Sequence, residues 1–244
     1  GISGLTAIVG TFFVNEYLGL SAEFLAALGF WAGLPWALKM PLGHMVDLLW
    51  RWKSLFVFAG ASLITASLLI MIGLLADPNA MRSIARVEFW FVLSALLAPV
   101  GYVMQDVVAD AMTVEAVPHV GSDGNPLPVE QRRAMHTTMQ TLGRVAIIGG
   151  GLLVALVNVV MLRGVQHLAE QAKVAVYVTV YELALLIPMV SVAGVIFALV
   201  LQRKAFRGLR AAGMSAPDAR RVLLMAPEPP PVNWWVLGGG LAFA

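Results

Sequence analysis

The residues with chemistry to offer are few, and they lie where charge is costly. Lys39, Asp106, Asp110, Arg144 and Glu182 interrupt runs that are otherwise apolar. An ionisable group at mid-bilayer costs at least roughly 2.5–3.5 kcal/mol on insertion scales, so each needs a partner, a water-filled cavity or a functional reason. Asp106 and Asp110 are four residues apart, which puts both carboxylates on one helix face, about 6 Å apart along the axis. Gln105 lies beside them. Two carboxylates so placed repel, and the pair suits a proton, a cation or the cationic group of a bound solute. The structural alternative is charge pairing with Lys39 or Arg144 that holds the helices in register. Arg144 sits two turns into its span, where it snorkels to the interface, meets an anionic solute or neutralises one of the aspartates. Glu182, before Pro188, suits an interface or a cavity equally. Glu115, about 140° around the helix from Asp110, reads as an interfacial structural residue.

Other chemistries find no support. His44 and His136 flank helix ends, no His/Asp/Glu cluster has metal-ligand spacing, and the chain contains no cysteine. Disulfides, thiolate metal sites and cysteine nucleophiles are thereby excluded. Gly149-Gly150-Gly151 is no phosphate loop, because no strand precedes it and no Lys-Ser/Thr follows. As a stripe of small residues it predicts close approach of another helix. Neither an enzyme, nor a cofactor, nor a nucleic-acid partner is expected.

The elements that must position the charges are bilayer spans. Apolar residues make up 59% and charged residues 12% of the chain, and the mean hydropathy is +0.83, against roughly 25% charged in an average soluble domain. The apolar residues are gathered in runs of the length a spanning helix needs. The expected spans are 1–14, 21–46, 54–76, 88–114, 136–162 and 174–201. Asp77-Pro78-Asn79 breaks the chain, and 118–133, with its glycines and prolines, reads as an extended loop. Residues 202–232 form a basic linker, and a seventh span begins at Asn233. Both ends read as cut: Gly1 and Ala244 each fall inside an apolar run. Arg51, Lys53, Arg132, Arg133, Arg203, Lys204, Arg207, Arg210, Arg220 and Arg221 fall on one side of this arrangement; Arg82, Arg86, Arg163 and Lys173 fall on the other. The first side is expected to be cytoplasmic. Six spans, a basic linker and a seventh span form the plan of a major facilitator, whose halves are built from inverted three-helix repeats. No sequence repeat between spans 1–3 and 4–6 is visible.

Two segments resemble one family within that superfamily. The stretch Gly33-Leu34-Pro35-Trp36-Ala37-Leu38-Lys39-Met40-Pro41-Leu42-Gly43-His44-Met45-Val46-Asp47, followed by Arg51 and Lys53, resembles the second helix and the loop after it in folate–biopterin transporters. Gly43, Asp47, Arg51 and Lys53 are also similar to the superfamily's general motif in that loop, which implies a cytoplasmic gate latch. The stretch Gln105-Asp106-Val107-Val108-Ala109-Asp110-Ala111-Met112-Thr113-Val114-Glu115 resembles the fourth-helix signature of the same family. Muropeptide permeases carry a similar pattern, and Leu142-Gly143-Arg144 followed by glycines is similar to theirs. The resemblance covers about 20–150.

It implies an all-α polytopic bundle: 1–201 as a six-helix half, 202–232 as a cytoplasmic linker and 233–244 as the start of a seventh helix. Spans 1, 2, 4 and 5 would line a central cavity, with 3 and 6 peripheral. The implied function is secondary active transport of a small organic solute, folate- or pterin-like and proton-coupled, across the plasma (inner) membrane. Asp106, Asp110, Arg144, Lys39 and Gln105 would couple substrate and proton, and Gly43, Asp47, Arg51 and Lys53 would gate. The partners are the solute, protons, the lipid bilayer and a C-terminal half. A muropeptide-type permease and a non-transporting assembly factor or subunit of the same fold are the alternatives.

Overall fold

A computed structural model describes residues 5–7, 9–10, 21–115, 117, 127–223 and 231–243, without the side chains of 22, 51, 113–115, 221, 222, 241 and 243. The first expected span and the loop 118–126 therefore lie largely outside the described residues. Everything regular among the described residues is helical: α1 (Ala22–Ala37), α2 (Lys39–Leu48), α3 (Lys53–Ala76), α4 (Pro78–Ile84), α5 (Val87–Glu115), α6 (Val129–Leu162), α7 (Glu170–Ala184), α8 (Leu186–Ala211), α9 (Ala216–Val222) and α10 (Trp234–Phe243). Four stretches among them are long and apolar enough to cross a membrane: Lys53–Ala76, Val87–Met112, Val129–His167 and Glu170–Ala211. The chain is an all-helical integral membrane protein.

The second expected span is not one helix. It breaks at Leu38 into α1 and α2, neither long enough to cross a bilayer alone. Pro41 has no N–H to return to the carbonyl of Ala37, and its ring crowds that carbonyl, so the ladder opens one turn before the proline. The sixth expected span is likewise two helices, α7 and α8, parted at Leu185 one turn before Pro188.

Two boundaries move for simpler reasons. Asp77-Pro78-Asn79 starts a helix rather than ending in a loop: Pro78 occupies the first turn, and the Asp77 carboxylate accepts the Ala80 N–H at 3.0 Å, a side-chain cap on an otherwise unpaired donor. The loop before the fifth span is shorter than expected. α6 begins at Val129, because Glu130, Gln131, Arg132, Arg133 and Ala134 all favour helix.

The core is built on α3, which packs most extensively against α5 and also against α7 and α8. Ile64, Leu68, Met71 and Leu74 of α3 meet Tyr177, Val180 and Tyr181 of α7, together with Leu5 and Val9. The α3–α5 crossing is close because two glycines meet there. A Cβ on Gly60 would lie 2.7 Å from the Gly101 carbonyl oxygen, and one on Gly101 would lie 2.6 Å from that of Gly60. Further along the crossing, Ser67 Oγ donates to the Ser94 carbonyl at 2.8 Å and Ser94 Oγ donates to the Ser67 carbonyl at 3.0 Å. Small residues and hydroxyl bonds of this kind hold helices together where burial from water supplies no driving force. α6 is the opposite case. Among the described residues it touches only α5 and α7 to any extent, and Ile147, Ile148 and Leu152 are all more than 70% exposed.

Candidate functional site

The break at Leu38 makes Lys39 the first residue of α2, where it faces the middle of α5. The Lys39 ammonium bridges both aspartates, with Nζ 2.5 Å from Asp106 Oδ2 and 2.8 Å from Asp110 Oδ2. The one-turn spacing of the carboxylates makes this geometry available, since a single cation fits between two acids stacked on one face. The side chains of Lys39 and Asp106 are 38% exposed, and that of Asp110 is 64% exposed.

The triad lies between two cavities. The larger, about 850 Å³, is lined among others by Asp106, Gln105, Tyr102, Lys53, Ser191 and Trp36. The other, about 600 Å³, is lined among others by Lys39, Asp110, Gly43, Asp47, Met40 and Trp36. Trp36 lines both. Volumes of this size suit small organic molecules. Gln105 fixes one wall of the larger cavity, donating to the Val57 carbonyl of α3 and accepting from Ser191 Oγ of α8, both at 3.4 Å.

Of the expected coupling residues, Lys39, Asp106, Asp110 and Gln105 come together; Arg144 does not. Its side chain is exposed on α6, and among the described residues no ion pair joins it to either aspartate. Lys39 already occupies both acids, and α6 stands apart from α2. The expected gate residues divide. Gly43 and Asp47 line the smaller cavity, whereas Lys53 lines the larger and holds its ammonium 3.9 Å from the Trp50 ring centroid, a cation–π contact. The side chain of Arg51 is outside the described residues, as is that of Glu115. Glu182 is exposed on α7. His44, midway along α2, accepts the Asn233 N–H on Nε2 at 2.8 Å and so ties α10 to α2. Among the described residues no cluster of His, Asp or Glu suits a metal ion.

Two expectations about neighbours are corrected. The larger cavity is lined by residues of α1, α3, α5, α6 and α8, so the third and sixth spans border it beside the second, fourth and fifth rather than lying at the periphery. Among the described residues Gly149, Gly150 and Gly151 meet no other helix: nothing there lies within 4 Å of a Cβ built on any of them. The close approach is at Gly60 and Gly101 instead. Tyr102 and Ser191 went unnoticed in the sequence, although a serine and a tyrosine inside apolar spans are themselves a signal. No protein-family profile, curated protein or solved structure matches the chain.

Proposed function

We propose that the chain is the six-span half of a major-facilitator-type secondary transporter, moving a folate- or pterin-like organic solute by alternating access with proton coupling. The observation that carries the proposal is the Lys39–Asp106–Asp110 triad, set between two cavities beside α5, a helix long and apolar enough to cross a membrane. One of the two aspartates that Lys39 bridges would take up the coupled proton. Protonating either aspartate leaves Lys39 paired to the other, so proton binding shifts the hold of α2 on α5 without stranding a charge. The kinked second span supplies an element that can move, and Asp47 with Arg51 and Lys53 would form the latch on the cytoplasmic side. The larger cavity would take the solute, with a second six-span half closing its open face.

The test is uptake into proteoliposomes holding the full-length protein under an inward proton gradient, with radiolabelled folate and biopterin as probes. Wild type should accumulate one of them, and Asp106→Asn should abolish accumulation at unchanged expression. Gradient-driven uptake of the same size in Asp106→Asn removes the coupling role. Competition by an anhydro-sugar peptide alone assigns a muropeptide-type permease, and absence of any flux together with stable co-purified proteins assigns a subunit or assembly factor.

A further inference from the structure

We propose that the α8–α9 hairpin binds the headgroup phosphates of anionic phospholipids. This rests on α8 being a membrane span and is independent of the transport reading. α8 does not stop where its apolar run ends at Leu201; it continues as a helix to Ala211. Ten further residues extend it by about 15 Å, through a headgroup layer about 5–8 Å thick.

That extension carries Arg203, Lys204, Arg207 and Arg210, all exposed. Arg203, Arg207 and Arg210 recur at the helical period and share one face, while Phe206 and Leu209 are half-buried on the flank beside it. No acidic residue occurs between Glu182 and Asp218, so nothing nearby in sequence neutralises this face. Asp218 is engaged elsewhere: its carboxylate bonds the Ser215 hydroxyl, which in turn accepts the Asp218 N–H at 3.3 Å.

The turn that follows is built rather than slack. Gly213 takes φ +87°, a conformation that favours glycine, and α9 folds back on α8 with Ala219 fully buried. The hairpin returns Arg220, also exposed, toward the same end of the span. Arg210 spends one N–H on the Met214 carbonyl at 2.8 Å and keeps others for a ligand. A topology signal needs only a number of basic residues in a loop. A row of guanidinium groups on a rigid helix leaving the bilayer presents fixed donors at phosphate depth, which is recognition geometry for an anionic headgroup.

The experiment follows thermal unfolding of the purified chain in neutral detergent, titrated with phosphatidylglycerol, phosphatidylcholine or inorganic phosphate. Phosphatidylglycerol should raise the midpoint at concentrations where the other two do not. The variant Arg203→Gln/Arg207→Gln/Arg210→Gln should need roughly tenfold or more phosphatidylglycerol for the same shift, since each basic residue near an anionic surface contributes about a fivefold preference. Equal shifts with phosphatidylcholine, or an unchanged response in the variant, overturn the proposal. An equal shift with inorganic phosphate overturns the lipid assignment in favour of a soluble anion. Should the variant not fold, native mass spectrometry of the wild type decides: retained phosphatidylglycerol that is shed as ionic strength rises supports the site, and no preference over phosphatidylcholine refutes it.

Discussion

Lys39 is the residue on which the site turns, because its ammonium bridges two acids of one helix. Replacing it with methionine keeps much of the side chain's length and removes the charge, leaving Asp106 and Asp110 to repel across one helical turn. Removing one partner of a fully buried pair costs about 3–5 kcal/mol; these groups are partly exposed, so about 1–2 kcal/mol is the expectation. Lys39→Met should therefore unfold several degrees below wild type in detergent, and adding Asp110→Asn should recover part of the loss. An unchanged midpoint in Lys39→Met shows that the triad does not hold α2 to α5. This cluster was largely legible in the sequence, since a four-residue spacing fixes a shared face and acids in an apolar run require a counter-charge. Which cation answers was not. Lys39 and Arg144 were equal candidates until the neighbours of α5 were known, and sequence spacing carries no information about which helices adjoin.

At the scale of elements, the crossing of α3 and α5 makes the sharpest demand on side-chain size. Gly60 faces a carbonyl oxygen of the opposite backbone, not the movable end of a side chain, so a larger residue must separate the helices. Gly60→Val should destabilise by about 1–3 kcal/mol, with the Ser67–Ser94 bonds stretched as the crossing opens. Gly150→Ala, with open space around it, should stay within about 0.5 kcal/mol of wild type. Thermal unfolding of the two variants side by side tests this, and equal midpoints would sink it. The glycine run at 149–151 drew attention in the sequence because it is contiguous. Gly60 and Gly101 are single glycines on separate helices, and their pairing exists only in three dimensions. The break at Leu38 was hidden for a different reason: Pro35 and Pro41 were visible, but whether a membrane helix bends or parts at a proline depends on what its neighbours re-satisfy.

For the whole molecule, the apolar surface and the basic residues together define how the chain sits in its membrane. The face of α6 from Val145 to Val160 is exposed along its length, a surface too large and continuous for water to tolerate on a soluble monomer and ordinary against lipid. Arg132 and Arg133 at the start of α6 and the basic end of α8 fall on one side if α5, α6 and the α7–α8 unit each cross once. Arg82, Arg86 and Arg163 then fall on the other. Because the chain has no cysteine, single cysteines report side directly. Ser83, Gln131, Gln166 and Ala212 are exposed and lie between successive crossings. In intact cells an impermeant maleimide should label Ser83→Cys and Gln166→Cys, while Gln131→Cys and Ala212→Cys should react only after permeabilisation. The reverse pattern inverts the orientation and places the expected gate residues outside the cell. Labelling of Gln166→Cys and Ala212→Cys from the same side means that the bend at Leu185 turns α8 back, and that α7 and α8 do not cross as one span.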